Sequence, residues 1–307
     1  MMQLSHIGYS GRYRIKKVRA GRVTFDSGWF SNLITDGGLD QIANIPPGTG
    51  GIPYLITQGY VGTGDTPPAV TDTFLSSYLA SSDTFEVGGT NSFVDGAPPY
   101  WRHIRIFTFA AGTVTGSLRE VGVGNTKDTL FSRSLIVNTV GVVQTVEVLA
   151  DEGIQLSYEL RAYINASDVV FNATLPGNTS GSDVSHTFTV RPANISVAKA
   201  LNIGIGYSHN NIALYSGVIQ SINQIPLGSA TSLTSYVNID TYIPGSFSTS
   251  FSMIFYESTG SYTDGVKAIR VSNQQCDFQI GVVPPIMKTS RYILTLTAYI
   301  SWGRYTP

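Results

Sequence analysis

Short segments in which apolar and polar residues alternate recur along the whole chain, at roughly 8–12-residue spacing, with turn residues between them. HIRIFTF, with Ile104 and Ile106 among polar neighbours, and GIQLSYELRAYI are two examples; Ala111-Gly112, Gly124-Asn125 and Asp151-Glu152-Gly153 are the intervening turns. A period of two puts successive side chains on opposite faces of a strand, so each segment can bury only one face and must pack that face on another sheet. The expected fold is mainly β: antiparallel β-sandwich or jelly-roll-like modules with little helix. No fixed long repeat is present, which disfavours a β-helical stalk, and the 32 glycines are not periodic, which excludes a collagen-like shaft.

Hydrophobic residues make up 42% of the 307 positions and charged residues 13%, a balance opposite to that of a disordered chain. The net charge of -1 argues against nucleic acid as a bulk electrostatic partner. It also leaves a lone monomer weakly protected against association, so neighbours or further copies of the chain are expected to cover part of the surface. A single cysteine, Cys276, gives neither a disulfide framework nor a Cys-based zinc site. No apolar run approaches the ~18 residues of a membrane span, and no apolar stretch after Met1 reads as a signal peptide.

Residues 12–25, RYRIKKVRAGRVTF, read as a hairpin turning near Ala20-Gly21. Six of the 19 basic residues fall here: Arg12, Arg14, Lys16, Lys17, Arg19 and Arg22. Two readings fit them, docking on an acidic neighbour or a charged strand edge that resists aggregation. Asp36 is expected to cap a short helix carrying Leu39, Ile42 and Ile45, ended by Pro46-Pro47. Further strands are expected over 54–61, 83–88, 100–109, 113–122, 129–137, 142–149, 154–164, 185–190, 200–207, 212–219, 235–243, 248–257, 266–271, 277–283 and 291–302. Phe74 to Ala80 reads as a helical turn or loop. The Asn/Ser/Thr-rich stretch 165–183 reads as a long loop or the entry to a second unit, dividing the chain into β modules 1–165 and 166–307.

The chemistry-bearing residues form no motif. His6, His103, His186 and His209 are scattered without metal-ligand spacing, so no metal or cofactor is expected. Gly62-Thr63-Gly64, Gly122-Val123-Gly124 and Gly204-Ile205-Gly206 lack the rest of a phosphate loop and read as turns or bulges. Asp151 with Glu152, or Glu257 with Asp264, are the candidates for a glycosidase pair, which needs two carboxyls facing across a groove. The sequons at Asn165, Asn172, Asn178 and Asn194 are what a segment rich in Asn, Ser and Thr produces by chance. Tyr100, Trp101, Tyr292, Tyr299, Trp302 and Tyr305 read as core or interface anchors, with sugar contact as the alternative.

The string WFSNLITDGGLDQIA, starting at Trp29, is followed by GYVGTGDTPPAVTDTFLSSYL, then by WRHIRIFTFAAGTVTGSLREVGVG, LFSRSLI and IQLSYELRAYI. In order and spacing, residues 20–165 resemble structural proteins of tailed bacteriophages. The resemblance implies a virion component made in the host cytoplasm: a tail, fibre, collar or baseplate protein rather than an enzyme. It implies a homo-oligomer of trimer or hexamer type, contacts to other virion proteins, and a host surface receptor as a further candidate partner. Head decoration and a polysaccharide-cleaving tail enzyme are the alternatives. The expected assembly interface comprises the six basic residues with Trp29 and Trp101; Arg119, Glu120 and Arg133 offer ion pairs in an otherwise charge-poor sheet, which in a subunit interface would fix register.

Overall fold

The structure is a computed structural model describing residues 2–43, 45, 55–86, 92–126, 128–176, 182–195, 212–232, 237–257, 259–272 and 277–306. The expected strand at 200–207, Gly204-Ile205-Gly206, His209, Asn178, Cys276, Tyr54 and Pro46-Pro47 lie outside them.

The chain opens with β1 (Met2–Arg19), which turns at Ala20-Gly21 into β2 (Arg22–Asp26); both turn residues have positive φ, 47° and 76°. β3 (Phe30–Ser31) and β4 (Leu33–Ile34) lead into α1 (Asp36–Ala43). Then come β5 (Gln58–Gly62), β6 (Tyr78–Ser82), β7 (Phe85–Glu86), β8 (Ser92–Val94), β9 (Tyr100–Phe109), β10 (Gly116–Leu118) and β11 (Glu120–Thr126). β12 (Thr129–Leu135), β13 (Val146–Val148) and β14 (Gly153–Ile164) complete the first half. The second half holds β15 (Val169–Leu175), β16 (Val184–Ala193), β17 (Ile212–Tyr215), β18 (Ala230–Ser232) and β19 (Val237–Ile239). It ends with β20 (Ser248–Phe255), β21 (Val266–Ser272), β22 (Asp277–Ile286) and β23 (Leu294–Arg304).

The fold is mainly β and sandwich-like. A ten-stranded sheet runs β19-β20-β23-β1-β14-β9-β7, with β2 and β3 also on β1 and β8 on β9. A five-stranded sheet runs β4-β12-β11-β5-β6, and a six-stranded sheet β15-β16-β22-β21-β17-β18. Among the described strands, pairing is antiparallel except between β1 and β23, which lie parallel. Residue 165 falls where the chain leaves the large sheet for the six-stranded one; β19, β20 and β23 later return to the large sheet.

The alternation in β1 and β14 explains how the layers meet. Tyr13 and Ile15 on β1, and Leu156, Tyr158 and Leu160 on β14, point inward and are buried. Tyr13 lies 4.8 Å from Tyr158 with the rings tilted by 44°, and reaches the five-stranded sheet, donating to the Ser132 carbonyl at 2.9 Å. One apolar cluster joins residues of the ten-, five- and six-stranded sheets, including Phe107, Phe131 and Phe278.

Several local expectations change. The helix cap is Thr35, not Asp36: its Oγ1 accepts from Gly38 N at 2.9 Å, and Asp36 is already helical. Leu39 and Ile42 are buried as expected. On β9 the inward residues are Arg105, Phe107 and Phe109, while Ile104 and Ile106 are only partly buried on the other face. Arg105 is held inside by the Ile56 carbonyl and by the Phe85 ring, 4.2 Å from its guanidinium carbon. The expected strand 113–122 divides at Arg119 into β10 and β11, which belong to different sheets. Phe74 to Ala80 runs through a turn into β6, and 165–183 contains β15.

Candidate functional site

Two arginine–carboxylate clusters dominate the polar structure. The first draws together the segments GYVGTGDTPPAVTDT, REVGVG and LFSRSLI. Gly122 on β11 pairs with Arg133 on β12, which sets Glu120 diagonal to the arginine. The Arg133 guanidinium donates to Glu120 Oε2 at 2.7 and 2.9 Å, to Asp72 Oδ2 at 2.5 Å and to the Thr66 carbonyl at 2.8 Å. Glu120 also accepts from the backbone N–H groups of Gly64 (3.1 Å), Ser76 (3.1 Å) and Ser77 (2.7 Å). Both ends of the Thr63–Ser77 loop are thereby fastened to the sheet. The glycines are required by proximity: a Cβ on Gly64 would stand 1.8 Å from Ser76 Oγ, and one on Gly62 would stand 2.5 Å from the Ser77 carbonyl. Arg119 closes the rim on exposed Asp65 at 2.8 Å. The ion pairs expected of Arg119, Glu120 and Arg133 are present, and they form within the chain.

The string SNLIT has equally specific roles. Asn32 donates to the Tyr158 hydroxyl at 3.2 Å, and the Ile34 carbonyl accepts from Arg304 at 2.6 Å. Thr35 donates to the Leu130 carbonyl at 2.5 Å as well as capping α1. A Cβ on Gly38 would lie 2.3 Å from the Phe131 carbonyl, so only glycine lets α1 approach β12 this closely.

The second cluster lies on the other face of β1 and β14, where Arg12 pairs in register with Glu159. Glu159 is buried and accepts from Arg12 Nη2 at 2.8 Å and from Arg161 Nε at 2.6 Å. Burial pushes its carboxyl up, but the hydrogen bonds and charges of Arg12 and Arg161 outweigh this and hold it below the ordinary range. The two arginines stay about one-third and one-fifth exposed, at 32% and 22%. Arg12 lies over Trp29 at 4.6 Å and Arg161 over Tyr100 at 4.9 Å.

Two open clefts meet at this triad, and a third joins the second of them. One of about 670 Å³ holds Trp29, Asn138 and Thr139 beside Arg12 and Arg161. A second of about 560 Å³ shares Arg12, Ser31 and Arg161 with the first and adds Arg304, Tyr163 and Tyr305. A third of about 410 Å³ continues past Tyr163 and Tyr305 to His6. Tyr163 and Tyr305 stack at 3.8 Å, and Tyr100 approaches Tyr163 at 5.1 Å. Among the described residues, three arginines and no carboxylate line this groove, and Asp36 pairs with Arg304 beside it.

The basic segment is largely neutralised within the chain. Arg14 forms a two-pronged pair with Asp26, whose carboxyl is lowered to about 2 chiefly by that hydrogen bond. Lys17 pairs with Glu152 at 3.0 Å and Arg19 with Asp151 at 2.9 Å. Lys16 and Arg22 have no ion pair among the described residues. Trp29 borders the groove, whereas Trp101 is a core residue against Phe93. Trp302 is likewise buried and donates to the Leu39 carbonyl at 2.9 Å. Of the other aromatics singled out in the sequence, Tyr100 and Tyr305 come together around the groove, while Tyr292 and Tyr299 do not line it.

The carboxylate pairs do not face each other across a groove. Glu152 accepts from Leu149 N at 3.0 Å and closes its own turn; that bond, followed by Lys17 and Arg19, lowers its carboxyl. Asp264 is 79% exposed beside Lys267, and Glu257 is exposed. His6 contacts Ser301 Oγ at 3.0 Å and His186 the Pro284 carbonyl at 2.7 Å. No metal-holding group of His, Cys, Asp or Glu occurs among the described residues. Among them, no helix is long and apolar enough to cross a membrane.

Sequence reasoning reached Arg12, Trp29, Tyr100 and Tyr305 but missed Arg161, Tyr163 and Arg304. The signal for two of these was the alternation in YELRAYI, which puts Glu159, Arg161 and Tyr163 on one face of β14. No protein-family model matches the chain, and comparison with curated proteins and with solved structures returns no match.

Proposed function

We propose that the protein is a self-assembling structural component of a tailed-phage particle, in the tail, fibre, collar or baseplate. The observation that carries this reading is the convergence of the phage-like segments on one joint. Residues far apart in the sequence meet around β11 and β12: Gly64, Glu120 and Arg133 fasten the Thr63–Ser77 loop to the five-stranded sheet, Gly38 brings α1 onto β12, and Asn32 reaches Tyr158 of the ten-stranded sheet. Such a motif serves architecture, which is what the resemblance implies.

The surface supports association. Charge is sparse, and Val140, Ile243, Val283 and Phe74 are 79%, 70%, 68% and 60% exposed. Homo-oligomers of closed symmetry bury such residues, and a trimer or hexamer is the expected form. Within the basic segment, Lys16 and Arg22 are the residues left for docking on another virion protein.

Light scattering at two protein concentrations tests the reading. A stable trimer or hexamer is expected, and a monomer at both concentrations overturns self-assembly. Lys16→Glu with Arg22→Glu then tests docking without disturbing an internal ion pair. Unchanged incorporation into particles would exclude a docking role for these two residues.

A further inference from the structure

We propose that the groove from Trp29 past Arg12, Arg161 and Arg304 to Tyr305 binds an acidic polysaccharide whose sugars carry carboxylates. The inference rests on the groove alone and stands whether or not the chain belongs to a phage particle.

The shape favours a polymer. The clefts are open and share lining residues in series, so an extended chain can lie across all three. Each falls within the size range of ligand sites.

The chemistry favours a polyanion of moderate charge density. In a chain of net charge -1, a wall with three arginines and no carboxylate is a local positive field. Glu159 beneath Arg12 and Arg161, and Asp36 beside Arg304, offset two of the three positive charges, so the cluster keeps about one net positive charge, with the guanidiniums nearest the cleft. Glu159 uses one nitrogen of each of its two guanidiniums, and both side chains still reach the cleft wall. Arg304 is similarly anchored through Nε and Nη2, on the Ile34 carbonyl and Asp36. Guanidinium groups fixed in this way present planar donor forks, the partner a planar carboxylate fits.

The neutral lining suits sugar hydroxyls. Ser31, Asn32, Asn138 and Thr139 offer donors and acceptors between the arginines. Trp29 at one end and the Tyr163–Tyr305 stack at the other supply the aromatic surface on which apolar sugar faces pack. A single-stranded nucleic acid calls for a denser basic track and a succession of stacking rings; here the cations are few and the aromatics stand at the ends.

Calorimetric titration of the full-length protein with oligogalacturonate, a neutral gluco-oligosaccharide and poly(dT) tests the proposal. Saturable binding of oligogalacturonate alone is expected, weakening as salt rises. Trp29→Ala should reduce affinity about tenfold. Thr139→Asp and Thr139→Lys provide a sign test at an exposed loop position that leaves the fold intact. The acidic variant should weaken binding and the basic one strengthen it, each several-fold. No binding, equal binding of the neutral sugar, tighter binding of poly(dT), or affinity indifferent to the sign at Thr139 would each overturn it.

Discussion

The Glu120–Arg133 clasp and the Arg12–Glu159–Arg161 triad use the same chemistry to opposite ends. In the clasp both charges are buried, with 2% of the Arg133 side chain and none of Glu120 exposed, and every guanidinium nitrogen has a partner inside the chain. In the triad only the anion is buried, and the two cations remain at the surface. Desolvating two charges costs several kcal/mol per ion and is offset only when hydrogen bonds satisfy what remains. The clasp meets that condition and becomes a lock. The triad meets it for Glu159 alone, so the arginines are held in place without being used up. Burying an anion beneath two cations is thus a way to fix guanidiniums at a surface while leaving the site positive.

The sharpest attack on this contrast is Arg133→Met. It leaves Glu120 buried without its cation and is expected to cost about 3–5 kcal/mol in urea unfolding. Adding Glu120→Met should recover little, because the N–H groups of Gly64, Ser76 and Ser77 then lose their acceptor. A loss below about 1 kcal/mol for Arg133→Met would place the clasp in the same class as a surface pair. Next in size is Gly64→Ala, whose Cβ meets Ser76 Oγ at 1.8 Å and Glu120 Oε1 at 2.4 Å. It should cost about 1–3 kcal/mol by overpacking, read as a fall in the denaturation midpoint with an unchanged slope.

How far the sequence announced all this depends on the element. The bounds of β9 were legible, since the expected strand 100–109 is Tyr100–Phe109, but its facing was not: Ile104 and Ile106 stand on the face opposite Arg105, Phe107 and Phe109. The Ala20-Gly21 turn was legible from Gly21 between two alternating segments, while the positive φ of Ala20 was not, since alanine seldom adopts it. The first half of β1 was hidden by Gly8 and Gly11, which look like breakers. They are instead sites of close approach: a Cβ would meet Tyr305 at 3.0 Å and the Tyr158 hydroxyl at 2.4 Å. β15 was hidden by its polar residues: as an edge strand it buries neither face fully, so Asn172 and Thr174 sit exposed within it. The groove was half legible. Arg12 and Trp29 stood out as a charge and an aromatic, but Arg12 meets Glu159 across 147 residues. Only strand register brings them together, and register is decided by which face of each strand is buried.

Acid should stress the molecule through its ion pairs and through His103. Burial, with Arg105 adding repulsion, lowers His103 from 6.5 to about 4, so it stays neutral in the fold. Between those values the unfolded chain binds the proton and the folded one does not, so stability falls as pH drops through the window and is complete above it. We expect a loss of about 2–3 kcal/mol from pH 7 to pH 4 that His103→Gln removes. Asp26 and Glu159 are also lowered and act in the same direction, but below their unfolded values near 4. A variant profile as steep as the parent's between pH 6.5 and pH 4 would assign the acid sensitivity to other groups.

The smallest effect on stability should come from the triad, and there the contrast with the clasp is most informative. Arg161→Gln removes one of the two cations on Glu159, yet Arg12 remains and solvent reaches the site. Exposure discounts the ion pair, so a loss under about 1 kcal/mol is expected in the same urea experiment. The amide retains a donor that can reach Glu159, which keeps the anion partly satisfied. If Arg161→Gln costs as much as Arg133→Met, the triad is a second lock, and its arginines are bound too tightly into the fold to serve as recognition groups. If it costs little while weakening oligogalacturonate binding, the two clusters separate as their burial implies: one charge network locks the Thr63–Ser77 loop onto its sheet, and the other holds guanidiniums ready at the surface.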